Sequence, residues 1–201
     1  MCYFRGMKQA KLFVCGLALT FIGMCGMSGS ALAQSEVATR NNPVSAEITW
    51  ISMEEALASH QKEPRYWIID VYTDWCGWCK RMDATTFRDP HIIEEINKHY
   101  YAVKLDAEQK EDITLGDHTY KFVPSENSGR GYHELAAELL QGKMSYPTTV
   151  YLDKEVHVIQ PLSGFQTAQD LHPILLFFGT GSYTSTPWEE FRTNYSSPFA
   201  Q

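Results

Sequence analysis

Two cysteines, Cys76 and Cys79, lie in the motif WCGWCK at positions 75–80. They directly follow an apolar run and directly precede a stretch with helical periodicity. Two thiols at this spacing can form and open a disulfide without unfolding of the chain. At a helix N-terminus, unpaired N–H groups and the helix dipole stabilise a thiolate. The motif therefore predicts thiol–disulfide exchange, with Cys76 as the nucleophile and Cys79, one turn deeper, as the resolving thiol.

Two other uses of a C-x-x-C pair lack the residues that they need. A zinc site needs a second cysteine pair or a His-x-x-His partner, and the sequence contains neither next to this motif. Attachment of a c-type haem needs a histidine directly after the second cysteine, where Lys80 stands instead. We therefore expect neither a metal nor another cofactor.

Residues 1–33 have the pattern of a secretory signal peptide. Three basic residues lie within the first 11 positions, an uncharged and largely apolar stretch follows, and Ala-Leu-Ala at 31–33 fits signal-peptidase cleavage. The alternative is an uncleaved membrane anchor, since no charged residue lies between Lys11 and Glu36. The apolar core is shorter than the roughly 20 residues that a spanning helix needs. We expect an exported protein from which this segment is removed.

Export changes the meaning of the cysteine count. Three of the five cysteines lie in residues 1–33, so Cys76 and Cys79 would be the only thiols of the mature chain. An exported protein with one such pair has no disulfide framework to build, which favours a redox role for the pair. The net charge of −7 and the absence of a long basic run argue against nucleic-acid binding.

The rest of the chain alternates between strand and helix patterns. Residues 34–46 are polar and predict a flexible lead, and a small hairpin over 113–123 is followed by a polar loop at 124–130. A strand, a helical segment and a second strand around the cysteines predict a parallel βαβ unit. Strands are predicted at 47–51, 66–72, 100–106, 148–152 and 156–162, and helices at 53–60, 76–87, 90–99, 131–140, 168–178 and about 187–191.

This order of elements around a C-x-x-C at the first turn of a helix resembles the thioredoxin fold. The motif is similar to the thioredoxin active site, with Trp78 in place of the usual proline. Asp70, six residues before Cys76, matches the position of a buried carboxylate in that family. Pro147, before a late strand, matches the family's cis-proline, and Gly164 matches a family glycine.

A closer resemblance is to the thioredoxin-like domain at the periplasmic C-terminus of DsbD and to secreted thioredoxin-related proteins of bacteria. It rests on DVYTDWC at 70–76 followed by TFRDP at 86–90. The resemblance implies an α/β, thioredoxin-like fold, with a central mixed sheet flanked by helices. This domain would occupy 47–179, with an inserted segment at about 107–145 and a C-terminal helical extension at 180–201.

The same resemblance implies a disulfide reductase that acts on disulfide-containing substrate proteins in the periplasm. A membrane thiol reductant of the DsbD kind would supply the electrons, and we expect a monomer. A disulfide oxidase or isomerase is the alternative within the enzymes, because the direction depends on the reduction potential. The alternative that is not an enzyme is a non-catalytic binding module of the same fold.

Five residues around the cysteines receive expected roles. Asp70, if buried near Cys79, would have a raised pKa and exchange a proton with that thiol. Trp75 and Trp78 are expected to wall the sulfur atoms, and the Tyr146 main chain beside cis-Pro147 to pair with an extended substrate peptide. The alternative interpretations are that Asp70 only caps or pairs locally, that the tryptophans only pack, and that Pro147 is a trans turn proline. Lys104 on the following strand could pair with Asp70 or be a solvated lysine.

Overall fold

The computed structural model of the protein describes residues 46–125 and 129–199. The predicted signal peptide, and the predicted lead up to residue 45, lie outside the described residues. In the described ranges, no helix is both long enough and apolar enough to cross a membrane.

The described residues form nine strands and six α-helices, with two short 3₁₀ helices at Thr86–Arg88 and Ser182–Thr184. The strands are β1 (Trp50–Ile51), β2 (Tyr66–Tyr72), β3 (Tyr100–Asp106), β4 (Ile113–Leu115), β5 (His118–Tyr120), β6 (Phe122–Pro124), β7 (Gly131–His133), β8 (Thr148–Leu152) and β9 (Val158–Ser163). The helices are α1 (Met53–His60), α2 (Gly77–Ala84), α3 (Pro90–His99), α4 (Glu134–Leu139), α5 (Ala168–Gly179) and α6 (Trp188–Asn194).

The central sheet has the strand order β1-β3-β2-β8-β9 within the described ranges. Strand β3 runs parallel to β1 and β2, whereas β8 is antiparallel to β2 and β9 is antiparallel to β8. The sheet is therefore mixed, as predicted, and β2 lies at its centre. Pro161 lies in the edge strand β9, where a missing N–H removes no internal ladder bond.

Both faces of the sheet are covered, because successive side chains of β2 point to opposite sides. Trp67 and Ile69 pack in one apolar cluster with α1, α4 and the hairpin of β4 and β5. Ile68 packs in a second cluster with α2, α3 and α5. Asp70 follows Ile68 at a spacing of two, so its carboxyl group faces the second cluster, beneath α2.

Local signals in the sequence set the helix starts. Ser52 and Glu55 form a capping box at α1, in which each side chain accepts the main-chain N–H of the other residue. Asp89 caps α3 by accepting the N–H of His91, with Pro90 as the first helical residue. Helix α2 ends at Ala84, so the predicted helix to position 87 was too long.

The predicted helix over 131–140 was wrong in its first turn. Gly131–His133 is the strand β7 and pairs with β6, so part of the predicted loop at 124–130 is also strand. A Cβ atom at Gly131 would come within 2.3 Å of the Phe122 ring and of the Val123 carbonyl oxygen. The missing side chain is therefore what permits this close strand pairing, and α4 begins only at Glu134.

The start of β9 also differs from the prediction, since the strand begins at Val158 rather than at position 156. Asp153 Oδ1 accepts the N–H groups of Glu155 and His157, and Val156 has φ of +63°. This side-chain-capped turn uses the first two residues of the predicted strand.

The aromatic residues of the C-terminal extension pack onto α5. The Phe177 ring lies 5.2 Å from the Trp188 ring and 5.1 Å from the Phe191 ring, centroid to centroid. Helix α6 is thereby held against the helix layer that also contains α2.

Candidate functional site

Cys76 and Cys79 form a disulfide at the start of α2, with an S–S distance of 2.06 Å. Cys76 is the N-cap residue, and its Sγ accepts a hydrogen bond from the main-chain N–H of Cys79 at 3.1 Å. Only 5% of Cys76 and 3% of Cys79 is exposed. The sulfur of Cys76 therefore lies where the helix dipole and a directed N–H both favour negative charge.

A buried carboxyl group lies on the neighbouring strand. Asp70 of β2 is 2% exposed, and its Oδ2 accepts a hydrogen bond from Lys104 Nζ at 3.0 Å. Its Oδ1 has no hydrogen-bond partner among the described residues. Burial raises the pKa of Asp70 to about 6, although the Lys104 ammonium group opposes this rise and Asp83 adds to it.

Lys104 connects two carboxylates, because its Nζ donates hydrogen bonds to Asp70 and to Asp83. Three aromatic rings surround the ammonium group, at 4.9 Å for Tyr72, 5.2 Å for Trp50 and 5.8 Å for Phe87. Burial lowers the pKa of Lys104, but the two carboxylates outweigh burial and the net result is a raised pKa. Lys104 is thus a charged part of the site rather than a solvated lysine.

The network lies on the Cys79 side of α2. Cys79 and Asp83 are four residues apart on this helix, so their side chains share one face. Asp83 shares Lys104 with Asp70. The Asp70 carboxyl group therefore faces the side of α2 that holds Cys79.

Trp75 forms an exposed wall next to Cys76, with 52% of its surface accessible. Its Nε1 donates a hydrogen bond to Glu108 Oε1 at 3.0 Å. The Arg130 guanidinium lies 4.8 Å above its ring, and the Tyr146 ring meets it edge-on at 5.9 Å. Glu108 and Arg130 come from the segment at 107–145, which thus supports this wall.

Trp78 forms the second wall and is 56% exposed. Its ring lies 5.4 Å from the Phe165 ring, and the Arg81 guanidinium is 5.3 Å from its centroid. Arg81 also lies 5.5 Å from the Phe165 ring. The two tryptophans are therefore both packed and accessible, each against its own aromatic partner.

The Tyr146–Pro147 peptide bond is cis. The carbonyl oxygen of Pro147 accepts the N–H of Gly164 at 2.8 Å, where Gly164 has φ of +102°. The residue after Pro147 begins β8, which pairs with β2. This pairing brings the Tyr146–Pro147 turn to the end of the sheet from which the cysteine motif starts, and Tyr146 contacts Trp75.

Several site residues were missed or assigned no role in the sequence. Lys104 is an exception, since it was named as a possible partner of Asp70, but its second hydrogen bond, to Asp83, was not predicted. Phe165, Arg81, Glu108 and Arg130 carry no local pattern that would single them out. Among the described residues, no group of three or more His, Cys, Asp and Glu side chains could hold a metal ion.

Residues 31–174 match the family model Thioredox_DsbH, described as a protein of unknown function, DUF255. This range is more than half of the 201-residue chain, so the chain belongs to the Thioredox_DsbH family. It is a DsbD-like, thioredoxin-like protein.

Curated relatives include the thiol:disulfide interchange protein DsbD of two bacteria. That of Pseudomonas fluorescens is 27% identical over 108 residues, which is 49% of this chain and 18% of the relative. That of Vibrio vulnificus is 27% identical over 122 residues, 56% of this chain and 19% of the relative. The chain thus spans less than a fifth of the length of these relatives.

Among solved structures, a thioredoxin from Thermus thermophilus is 14% identical, with a TM-score of 0.50. The match covers 75% of this chain and 99% of that chain. Together with the observed strand order, this likeness confirms the predicted thioredoxin-like fold.

Proposed function

We propose that this chain is a periplasmic protein-disulfide reductase that cycles Cys76 and Cys79 between dithiol and disulfide. The main support is that the Cys76–Cys79 pair lies at the N-terminus of α2 and is flanked by two exposed tryptophans. A structural disulfide needs no accessible aromatic surface around it, whereas a partner protein that docks on the site does.

In the first step, the thiolate of reduced Cys76 attacks one sulfur of a substrate disulfide. A bond forms between Cys76 Sγ and that sulfur, the substrate S–S bond breaks, and the other substrate sulfur leaves as a thiolate that takes a proton from solvent. The N–H of Cys79 and the N-terminus of α2 stabilise the attacking thiolate.

In the second step, Cys79 resolves the mixed disulfide. Its thiol gives a proton to the Asp70 carboxylate, its sulfur bonds to Cys76 Sγ, and the substrate sulfur leaves as a thiolate. The substrate has then gained two electrons and the cysteine pair has lost them. With a pKa of about 6, Asp70 is largely ionised at neutral pH yet basic enough to accept the proton.

Substrate docking would use the surface around the sulfurs. Trp75 and Trp78 offer apolar contacts on either side. Among the described residues, the main-chain N–H and C=O groups of Tyr146 form no hydrogen bond with another main-chain group, so an extended peptide can pair with them.

A reductase needs a source of electrons, and we assign this role to a membrane thiol reductant of the DsbD kind. The donor's dithiol would attack the Cys76–Cys79 bridge, leave as a disulfide and return the pair to its reduced state. The similarity to thiol:disulfide interchange proteins supports this assignment. Export by the signal-peptide pattern at 1–33 and function as a monomer belong to the same proposal.

Reduction of insulin disulfides by the mature chain tests the activity, with a Cys76→Ser variant as the control. We expect activity in the unaltered protein and none in the variant, because the variant has no nucleophile. Insulin reduction that survives in Cys76→Ser would contradict the mechanism.

A redox titration of the Cys76–Cys79 pair against glutathione tests the direction of electron flow. A reduction potential well below about −180 mV supports a reductase, whereas a value above it favours an oxidase. Slow alkylation of Cys76, with no lowered pKa, would instead favour a non-catalytic binding module.

A further inference from the structure

A fully buried hydroxyl group lies beside Asp70 on the strand opposite to Lys104. Thr149 of β8 is the cross-strand partner of Asp70 in the antiparallel ladder. It is 0% exposed, and its Oγ1 has no hydrogen-bond partner among the described residues. Oδ1 of Asp70 also has no hydrogen-bond partner among the described residues, since Lys104 donates to Oδ2.

The two unpartnered atoms belong to side chains on one face of the sheet. In β8, Val150 and Leu152 pack in the cluster with α1 and α4, while Tyr151 packs in the cluster with α2 and α3. By alternation, Thr149 points to the same side as Tyr151. Asp70 points to that side as well, and the Cβ atoms of directly opposed residues lie only about 5 Å apart.

Buried polar atoms in folded proteins are normally hydrogen-bonded. Two orphan oxygens at a cross-strand spacing can satisfy each other through one bridging water, which needs polar partners of this kind. A hydroxyl donor, unlike a carboxylate, has both hydrogen and lone pairs to offer such a bridge.

We propose that Thr149 is a positioning residue for the redox reaction: its hydroxyl group, through a bridging water, binds Oδ1 of Asp70 and orients the carboxyl group toward Cys79. This inference rests on the proposed function. The proton passes from Cys79 Sγ to Asp70 as Cys79 Sγ bonds to Cys76 Sγ, and the substrate sulfur leaves with the electron pair of the broken bond. Thr149 itself neither gains nor loses a proton.

The bridge also changes the charge balance at Asp70. The charged and titratable groups that act on this carboxyl are Lys104 from β3, Asp83 from α2 and Tyr72 from its own strand. Cys79 lies on the same face of α2 as Asp83. A hydrogen bond donated toward Oδ1 favours the ionised carboxylate, as Lys104 does on the other oxygen. Without the Thr149 hydroxyl, the carboxyl group keeps its proton to higher pH and accepts one from Cys79 less often.

The experiment mixes the reduced mature protein with DTNB and follows the released thionitrobenzoate between pH 5 and 9. Attack by Cys76 releases the first equivalent, and resolution by Cys79 releases the second. We expect Thr149→Val to leave the first phase unchanged. The midpoint of the second phase should move about one pH unit higher, which slows that phase about fivefold to tenfold near pH 6. Thr149→Ser, which keeps the hydroxyl group, should restore the second phase.

Tyr151→Phe is the matched control. Tyr151 is also 0% exposed, its hydroxyl group also lacks a partner among the described residues, and it lies on the same strand and face. It is paired with Ile68 rather than with Asp70. Its variant should therefore leave the pH profile of both phases unchanged.

Two results would overturn the inference while the proposed function stands: a second phase in Thr149→Val equal to that of the unaltered protein, or an equal shift in Tyr151→Phe. If the unaltered protein shows no second phase, or the first phase survives in Cys76→Ser, the proposed function itself fails. Thermal unfolding followed by circular dichroism verifies that each variant is folded.

Discussion

The two cysteines of one motif have different surroundings. Cys76 lies at the helix N-terminus beside exposed tryptophans, next to the surface that a partner would meet. Cys79 lies one turn deeper, on the side of α2 that faces the buried pair of Asp70 and Lys104. The motif therefore has two sides. We call the exposed side with Cys76, Trp75 and Trp78 the front, and the buried side with Cys79, Asp70 and Lys104 the back.

This contrast predicts which substitutions have the largest effect on activity. At the back, buried charges are held by strand register, and a lost partner leaves a charge or polar atom without solvent to replace it. At the front, Trp75 is held by an exposed carboxylate and a guanidinium, and water can replace either contact. Changes at the back should alter rate and pH dependence, and changes at the front should alter substrate affinity.

The largest effect should come from the cysteines themselves. Cys79→Ala retains the nucleophile but has no resolving thiol, so it should accumulate mixed disulfides with substrate proteins, whereas Cys76→Ser should form none. Non-reducing electrophoresis of each variant after reaction with a disulfide-bonded protein measures this. Equal trapping by both variants would contradict the assigned division of roles.

Asp70→Asn should slow resolution by Cys79 roughly 10²-fold at neutral pH, because a proton acceptor is lost. The second phase of the DTNB reaction measures this loss, and the first phase serves as the internal control. A second phase of unaltered rate would show that Asp70 accepts no proton from Cys79.

The same variant tests the raised pKa through stability. Between pH 3.8 and about 6 the folded state binds the Asp70 proton more tightly than the unfolded chain, so this group lowers stability as the pH rises. Asp70→Asn has no carboxyl group to titrate, so its stability does not fall with rising pH for this reason. The difference in unfolding free energy between variant and unaltered protein should therefore shift in the variant's favour by roughly 2.4 kcal/mol from pH 4 to pH 7. Urea unfolding at several pH values measures it, and a constant difference would contradict the raised pKa.

Lys104 and Asp83 should move the pH profile in opposite directions. Lys104 lowers the pKa of Asp70 and Asp83 raises it. Lys104→Met should therefore move the midpoint of the second DTNB phase to higher pH, and Asp83→Asn should move it to lower pH. Shifts of the same sign in both variants would mean that their charges do not act on Asp70.

The smallest effect should come from Glu108→Ala at the front. This variant loses the exposed hydrogen bond from Trp75 Nε1 to Glu108, so Trp75 is held less firmly. The KM for a protein disulfide should therefore rise about threefold to fivefold, and the rate with DTNB should stay unchanged. Burial, together with Glu108 and Asp106, raises the pKa of Tyr146 to about 12, so this variant should also lower the Tyr146 pKa. Glu47→Gln, whose ion pair with Arg88 lies on the exposed surface, is the matched control. An unchanged KM and an unchanged tyrosine titration would show that Glu108 does not position this wall.

Much of the scaffold follows from local pattern. The strands at 66–72, 100–106 and 148–152 and the helix at 90–99 have the predicted limits, because alternation, capping residues and proline act over a few neighbours. The first turn of 131–140 was predicted as helix because its apolar spacing fits one. The pairing of Gly131 with a ring 9 positions earlier is a tertiary contact that no such pattern contains.

For the site, the sequence alone predicts thiol–disulfide chemistry, from a C-x-x-C at a helix start, an acid six residues earlier and a proline before a late strand. The cysteine pair follows from the motif itself, whereas Asp70 and Pro147 were identified through the resemblance to the thioredoxin family. The residues that surround them are known only from the folded chain. Strand register placed Lys104 on one side of Asp70 and Thr149 on the other, and the inserted segment brought Glu108 to Trp75. The burial of Asp70 and its pairing with Lys104 depend on residues distant in sequence. Together they set the pKa of Asp70, which the residue type alone does not determine.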